Sequence, residues 1–103
     1  MTGEAGRKVA LVTGASEGIG HAIALRLLAD GYRVAMLARQ ADKLRLACDG
    51  LGTQVRGFAC NLGELDEIKR TVGDARAWGG RIDALVNCAS TTRSGTALSL
   101  SDA

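Results

Sequence analysis

Four strand-length apolar runs alternate with segments of helical period, and this alternation constrains the fold more than any other feature of the chain. The runs are Lys8–Thr13 (KVALVT), Arg33–Ala38 (RVAMLA), Gln54–Ala59 (QVRGFA) and Ala84–Cys88 (ALVNC). Three of the four are nearly continuous in apolar side chains, the pattern of strands buried on both faces of a parallel sheet. Between the first two, Ile19, Ile23, Leu27 and Leu28 recur at helical steps until Gly31. Leu44, Ala47 and Leu51 repeat the pattern, closed by Gly50 and Gly52, and Leu65, Ile68, Val72, Ala75 and Trp78 carry the longest helix up to Gly79-Gly80.

Strand-helix repetition of this kind implies an α/β fold with right-handed crossovers. If the first three strands step one way and the fourth returns beside the first, the order is 3-2-1-4. That is the nucleotide-binding half of a doubly wound parallel sheet with three helices. Two helices then cover one face and one covers the other. The fourth strand becomes an open edge, where Leu85 and Val86 invite self-association. The 103 residues form a single domain without repeat, linker or low-complexity stretch; only Ser90–Ala103 turns rich in Ser, Thr and Ala. With one Phe, one Trp and one Tyr, aliphatic side chains build nearly all of the core.

Charge and cysteine usage exclude several functions. Thirteen Lys and Arg against eleven Asp and Glu give a formal charge of +2, scattered singly. Even the most basic stretch, Arg70–Arg81, is broken by Asp74, so there is no nucleic-acid stripe and no polybasic membrane segment. Cys48, Cys60 and Cys88 match no metal or redox spacing and read as small buried apolar residues in a reducing compartment. The only histidine is His21, so no metal site is expected. The apolar run near the start is too short for a signal-peptide core or a membrane span, which places the chain in the cytoplasm.

The most specific motif is Thr13-Gly14-Ala15-Ser16-Glu17-Gly18-Ile19-Gly20, placed directly after the first strand and opening the first helix. Glycines there permit a tight turn and leave room for a ligand to approach the backbone. The free N–H groups of the first helical turn, at the positive end of its dipole, favour a pyrophosphate. A strand before the loop, a helix after it and a second strand ending about 20 residues on complete the context of a dinucleotide site.

The spacing Gly-x-x-x-Gly-x-Gly with Thr in front resembles the cofactor loop of the short-chain dehydrogenase/reductase family. The resemblance continues through RVAMLARQADKL, ACNL and ALVNCAS, and covers the chain from Lys8 to Ala103. It implies a Rossmann-like cofactor-binding fold in which Gly14, Gly18 and Gly20 surround the pyrophosphate, while Ser16 and Ile19 meet phosphates and ribose. Asn61 stands where the family has an aspartate beside the adenine, with Leu62 next to it. Asn87, Cys88, Ala89 and Ser90 stand where it has Asn-Asn-Ala-Gly. Cys88 in place of the second asparagine alters packing, and Ser90 in place of glycine adds a side chain near the ribose.

An acidic residue at the end of the second strand would bind a ribose 2′-hydroxyl and repel a 2′-phosphate. Here that position is Ala38, followed by Arg39, whose guanidinium suits a 2′-phosphate through charge-assisted, bidentate contacts. NADP is therefore expected over NAD, although Glu17 places a negative charge in the loop nearby.

The resemblance also implies hydride transfer between the nicotinamide and an alcohol/carbonyl pair, using a tyrosine acid/base, a lysine four residues on and a serine. No such set is readable in this chain. The only tyrosine, Tyr32, is followed by Arg33-Val34-Ala35-Met36 and reads as a packing or surface residue. Ser90, Ser94, Ser99 and Ser101 stand beside no recognisable base. No catalytic residue is assigned, and the chain reads as the N-terminal part of a longer enzyme. The alternative is a catalytically inactive nucleotide-binding or subunit-interaction module. A phosphoacceptor domain of similar topology is excluded, because it needs a cluster of acidic residues at the strand ends.

Overall fold

The structure, a computed structural model, describes residues 7–16 and 18–88. Its elements follow in strict alternation: β1 (Val9–Thr13), α1 (Gly18–Ala29), β2 (Arg33–Ala38), α2 (Ala41–Cys48), β3 (Val55–Ala59), α3 (Leu65–Gly79) and β4 (Ala84–Asn87). All strand pairs are parallel and the sheet order is β3-β2-β1-β4, as the alternation predicts. Val12 lies opposite Met36 on one side and Val86 on the other, so β1 is the central strand of the switch.

Burial follows position in the sheet. Every residue of β1 is buried, and so is every residue of β2 after Arg33. At the edges the pattern breaks: β3 buries only Val55, and β4 alternates between half-buried and exposed residues, with Leu85 40% exposed. The sheet separates two apolar layers. On one face Val12, Val34, Met36 and Leu44 pack with Ala24, joined by Leu27, Leu28 and Tyr32. On the other, Leu11, Ala35, Leu37 and Ala75 pack with Phe58, Val72, Trp78 and Ile82. Thus α1 and α2 cover one face and α3 alone covers the other.

Local details modify the periodic reading. Ile19, expected on the apolar face of α1, is 72% exposed, because the helix's first turn overhangs the carboxyl ends of the strands instead of the sheet. Gly20 and Ala24 are the buried positions of that helix. Leu65, the first apolar position of α3, is also exposed. Leu51 lies beyond the last residue of α2 but still packs on the core. Of the cysteines expected to be buried, only Cys60 is; Cys48 and Cys88 are half-buried. Desolvation pushes both of their thiols up, which keeps them protonated and poor nucleophiles.

The opposite, amino-terminal end of the sheet is held by charge. Val9 N donates to Asp83 Oδ2 at 2.8 Å, and Asp83 N donates back to the Val9 carbonyl at 2.8 Å. Arg81 Nε and Nη2 both donate to the same carboxylate at 2.8 Å. These donors hold the Asp83 carboxyl below the usual carboxylate range. Nearby, the Arg33 guanidinium lies 4.3 Å from the centre of the Trp78 ring, a cation–π contact that ties β2 to the end of α3.

Candidate functional site

A cleft of about 800 Å³ opens where β1, β2 and β3 end. Three local devices build it. Ala15 N donates to the Leu37 carbonyl at 3.2 Å, which fastens the turn after β1 to the end of β2. Cys60 N donates to the Ala38 carbonyl at 2.8 Å, which fastens the end of β3 to the same place. The turn into α3 is set by Asn61: its Oδ1 accepts from Gly63 N (2.9 Å), its carbonyl accepts from Glu64 N (3.0 Å), and its own N–H donates to Glu67 Oε1 (2.8 Å).

The glycine loop forms the inner wall. Gly14 and Gly18 hold positive φ angles of 63° and 65°, which L side chains rarely adopt. A Cβ on Gly18 would meet nothing within 4 Å, so the space above it belongs to the cleft. Gly20 is different. A Cβ there would run into the Gly14 carbonyl oxygen, so this glycine permits the helix to start tight against the loop. One glycine therefore keeps ligand space open, and another keeps the loop closed on itself. That combination fits a bulky anion seated over the first turn of α1.

Eight of the residues singled out from the sequence line this cleft together: Gly14, Ser16, Gly18, Ile19, Gly20, Arg39, Asn61 and Leu62. Asn87 does not; its Oδ1 accepts from Thr13 Oγ1 at 2.7 Å, while the neighbouring Cys88 lines the cleft. Ala89 and Ser90 lie outside the described residues, as does Glu17. Ala38, the uncharged strand end, lines it as well, and the structure adds Gln40, Lys43, Cys60 and Gly63. Of these, Gln40 and Lys43 carry the chemistry that the sequence reading missed. Their spacing of three places them on one face of the first turn of α2, directly after Arg39.

The outer wall is cationic. Arg39 and Lys43 are both exposed at the end of β2 and the start of α2. Beside them Ala38 is buried and carries no charge. Asp42, three residues after Arg39, is turned to Arg45 at 3.4 Å and does not line the cleft. Tyr32 stands at the other end of β2, half-buried among Leu27 and Leu28. Among the described residues no cluster of His, Cys, Asp and Glu could hold a metal ion, and no helix is long and apolar enough to cross a membrane.

A parallel sheet of order 3-2-1-4, with a glycine turn after its first strand and a cleft at its carboxyl ends, defines the nucleotide-binding half of a doubly wound α/β protein. The chain matches the short chain dehydrogenase family over residues 8–103, and it belongs to that family. It is 44% identical over 98 residues to nodulation protein G of Rhizobium sp. (strain N33), covering 95% of this chain and 40% of that protein. It is 38% identical over 95 residues to the 3-oxoacyl-(acyl-carrier-protein) reductase FabG of Salmonella typhimurium, covering 92% and 39%. A crystal structure of an actinorhodin polyketide ketoreductase variant with NADPH superimposes with a TM-score of 0.83 at 36% identity, over 93% of this chain and 38% of that one. A 3-ketoacyl-(acyl-carrier-protein) reductase from Brucella melitensis, complexed with NADH, gives 0.73 at 27% identity, over 76% and 32%. The chain thus spans about 40% of the length of these two curated relatives.

Proposed function

We propose that this chain is the NADP-binding part of a short-chain dehydrogenase/reductase, whose complete form transfers hydride between NADP(H) and an alcohol/carbonyl pair. One observation carries the choice of cofactor: the residue at the end of β2 is the uncharged Ala38, and exposed Arg39 follows it at the lip of the cleft. With no carboxylate there to repel it, a 2′-phosphate finds a guanidinium. Two relatives support the reading, since the polyketide ketoreductase structure contains NADPH and the Salmonella protein is a reductase.

In this reading residues 1–103 make up one cofactor-binding domain. Gly14, Gly18 and Gly20 shape the space for the pyrophosphate, and Ser16 and the first-turn N–H groups of α1 bind it. Arg39 holds the 2′-phosphate and Asn61 and Leu62 border the adenine; by the family pattern Asn87, Ala89 and Ser90 belong with the nicotinamide ribose. The bound nicotinamide would supply the hydride; the residues here bind and orient it. We assign the chain to the cytoplasm, where Cys48, Cys60 and Cys88 would stay reduced.

Isothermal titration of the chain with NADPH and with NADH tests the assignment. Tighter binding of NADPH is expected, and Arg39→Ala should narrow the gap by about 1.5 kcal/mol, the lower end for an exposed charge-assisted contact. Equal affinities in the unmutated chain would overturn it.

A second reading, an interaction module that pairs through its open edge, is favoured by the 40% exposure of Leu85 on β4. Sedimentation as a dimer that Leu85→Lys abolishes would support it; a monomer at all concentrations would end it.

A further inference from the structure

β3 is the outer strand of the sheet, and among the described residues no strand covers its far edge. The ladder to β2 fixes which backbone groups are spent. Val34 N donates to the Gln54 carbonyl at 2.9 Å and Cys60 N to the Ala38 carbonyl at 2.8 Å. Backbone groups alternate in direction along a strand, so the N–H and C=O groups of Val55, Gly57 and Ala59 point away from β2. Edges of this kind are commonly blunted by a proline, a bulge or a charge. The register of β3 with β2 runs unbroken from Val55 to Ala59, the chain contains no proline, and Arg56 is the one charge of the strand. The two faces of the edge differ. On the α2 side a groove of about 380 Å³ opens between strand and helix, lined by Ala41, Leu44, Arg45, Cys48, Gly57 and Ala59. A Cβ on Gly57 would lie 2.8 Å from Leu44 Cγ, so this glycine lets the helix rest directly on the strand. On the α3 side the Arg56 guanidinium lies 5.8 Å from the centre of the Phe58 ring, and among the described residues it pairs with no carboxylate. Arg45, at the groove, meets Asp42 at 3.4 Å with side chains 77% and 89% exposed, a pair too loosely held to neutralise it.

We propose that the outer edge of β3 is a docking site for an extended, acidic segment of a partner protein, which adds to the sheet as a further strand. The backbone of the segment takes up the outward N–H and C=O groups of Gly57 and Ala59. Strand alternation then sets its sequence. An aliphatic residue enters the groove against Leu44 and Cys48, and the residues on either side of it, on the opposite face, bring carboxylates to Arg56. Cations on both faces of the free edge favour an acidic segment, and Arg56 turns away strands that carry positive charge. The groove shares no lining residue with the nucleotide cleft, so the segment docks with the cofactor in place.

The test is fluorescence anisotropy of two labelled peptides titrated with the chain, with and without saturating NADPH. One peptide alternates Glu and Val, and the other alternates Lys and Val. The Glu/Val peptide should bind saturably in both conditions, and the Lys/Val peptide should not bind. Full N-methylation of the Glu/Val peptide removes its backbone donors and should abolish binding. Arg56→Glu, a change at an exposed position, replaces attraction by repulsion and should weaken binding about tenfold. Arg39→Ala, at the lip of the nucleotide cleft, should leave it unchanged. Hydrogen exchange resolved by residue should slow at the Gly57 and Ala59 amides when the peptide is present. Absence of saturable binding, equal binding of the two peptides, full affinity in Arg56→Glu, or protection that falls on β4 instead of β3 would each overturn the proposal.

Discussion

The hydroxyl of Thr13 donates to Asn87 Oδ1 at 2.7 Å and accepts the backbone N–H of Cys88 at 3.0 Å. Thr13 and Asn87 are also register partners at the ends of β1 and β4. The edge strand β4 is thus pinned to the central strand beside the cleft by a side chain as well as by the sheet ladder. Because Cys88 lines the cleft, the same threonine sets the position of one of its walls.

Replacement of Thr13 by valine keeps the shape and removes both hydrogen bonds. It leaves the Asn87 carbonyl and the Cys88 N–H with a lost partner in a part-buried place, at a cost of about 1–3 kcal/mol. Thr13→Ser, which keeps the hydroxyl, should recover most of that. Urea denaturation of the two variants checks the order. A valine variant as stable as the parent would show that the backbone pairing of β4 is sufficient.

The Asp83 cluster gives the chain a dependence on acid. Its carboxyl is held below the usual range first by the Arg81 hydrogen bonds and then by the Val9 N–H. A carboxyl depressed in the folded state contributes stability that is fully present above the ordinary carboxylate range. That contribution is lost as the pH falls through the folded value. Stability measured by denaturant from neutral pH downward should decline in acid, and Asp83→Asn should decline less. An identical acid profile for the two would remove Asp83 from the account.

Gly18 and Gly20 separate the two uses of glycine in the loop. Gly18→Val must hold a β-branched residue near a φ of 65°, strained by about 1–2 kcal/mol, and its side chain projects into the cleft. It should lose nucleotide affinity while keeping its helix content. Gly20→Ala meets the Gly14 carbonyl and must displace the loop, so it should lose stability as well as binding. Circular dichroism and titration on the same samples distinguish them. Retained affinity in Gly18→Val would show the loop to be a structural turn only.

The sheet order was legible because the strands and their sequence alternate simply, and the apolar runs of β1 and β2 announce burial on both faces. The glycine loop was legible because its spacing is bound to a strand-turn-helix context. What periodicity could not supply was the direction of residues at helix starts. Ile19 fits the apolar period of α1 yet stands at the cleft, because a helix that begins at the sheet's carboxyl end overhangs it by one turn. Lys43 escaped notice for the same reason. The pattern Leu44, Ala47, Leu51 fixes the buried face of α2 but not where the helix begins, so it cannot say which polar residue overlooks the site. Asn87, a cofactor residue by the family pattern, is bonded to Thr13 and does not itself line the cleft, a contact that spacing along the chain does not reveal.

Catalysis by this chain is the remaining test, and Tyr32 decides it. Carbonyl reduction needs a proton donor held beside the carbonyl that receives the hydride. The chain's only tyrosine precedes the first residue of β2, whereas the cleft begins after the last, Ala38. Six strand residues at about 3.3 Å each separate them by about 20 Å, well beyond a proton transfer. Tyr32 also packs with Leu27 and Leu28 on the face covered by α1 and α2, away from any carbonyl that the cleft could hold. The 103-residue chain should therefore show no NADPH consumption with ketone substrates. Tyr32→Phe should leave nucleotide affinity unchanged, since its hydroxyl is remote from the cleft. Turnover of any ketone by the parent chain, abolished in Tyr32→Phe, would overturn this assignment.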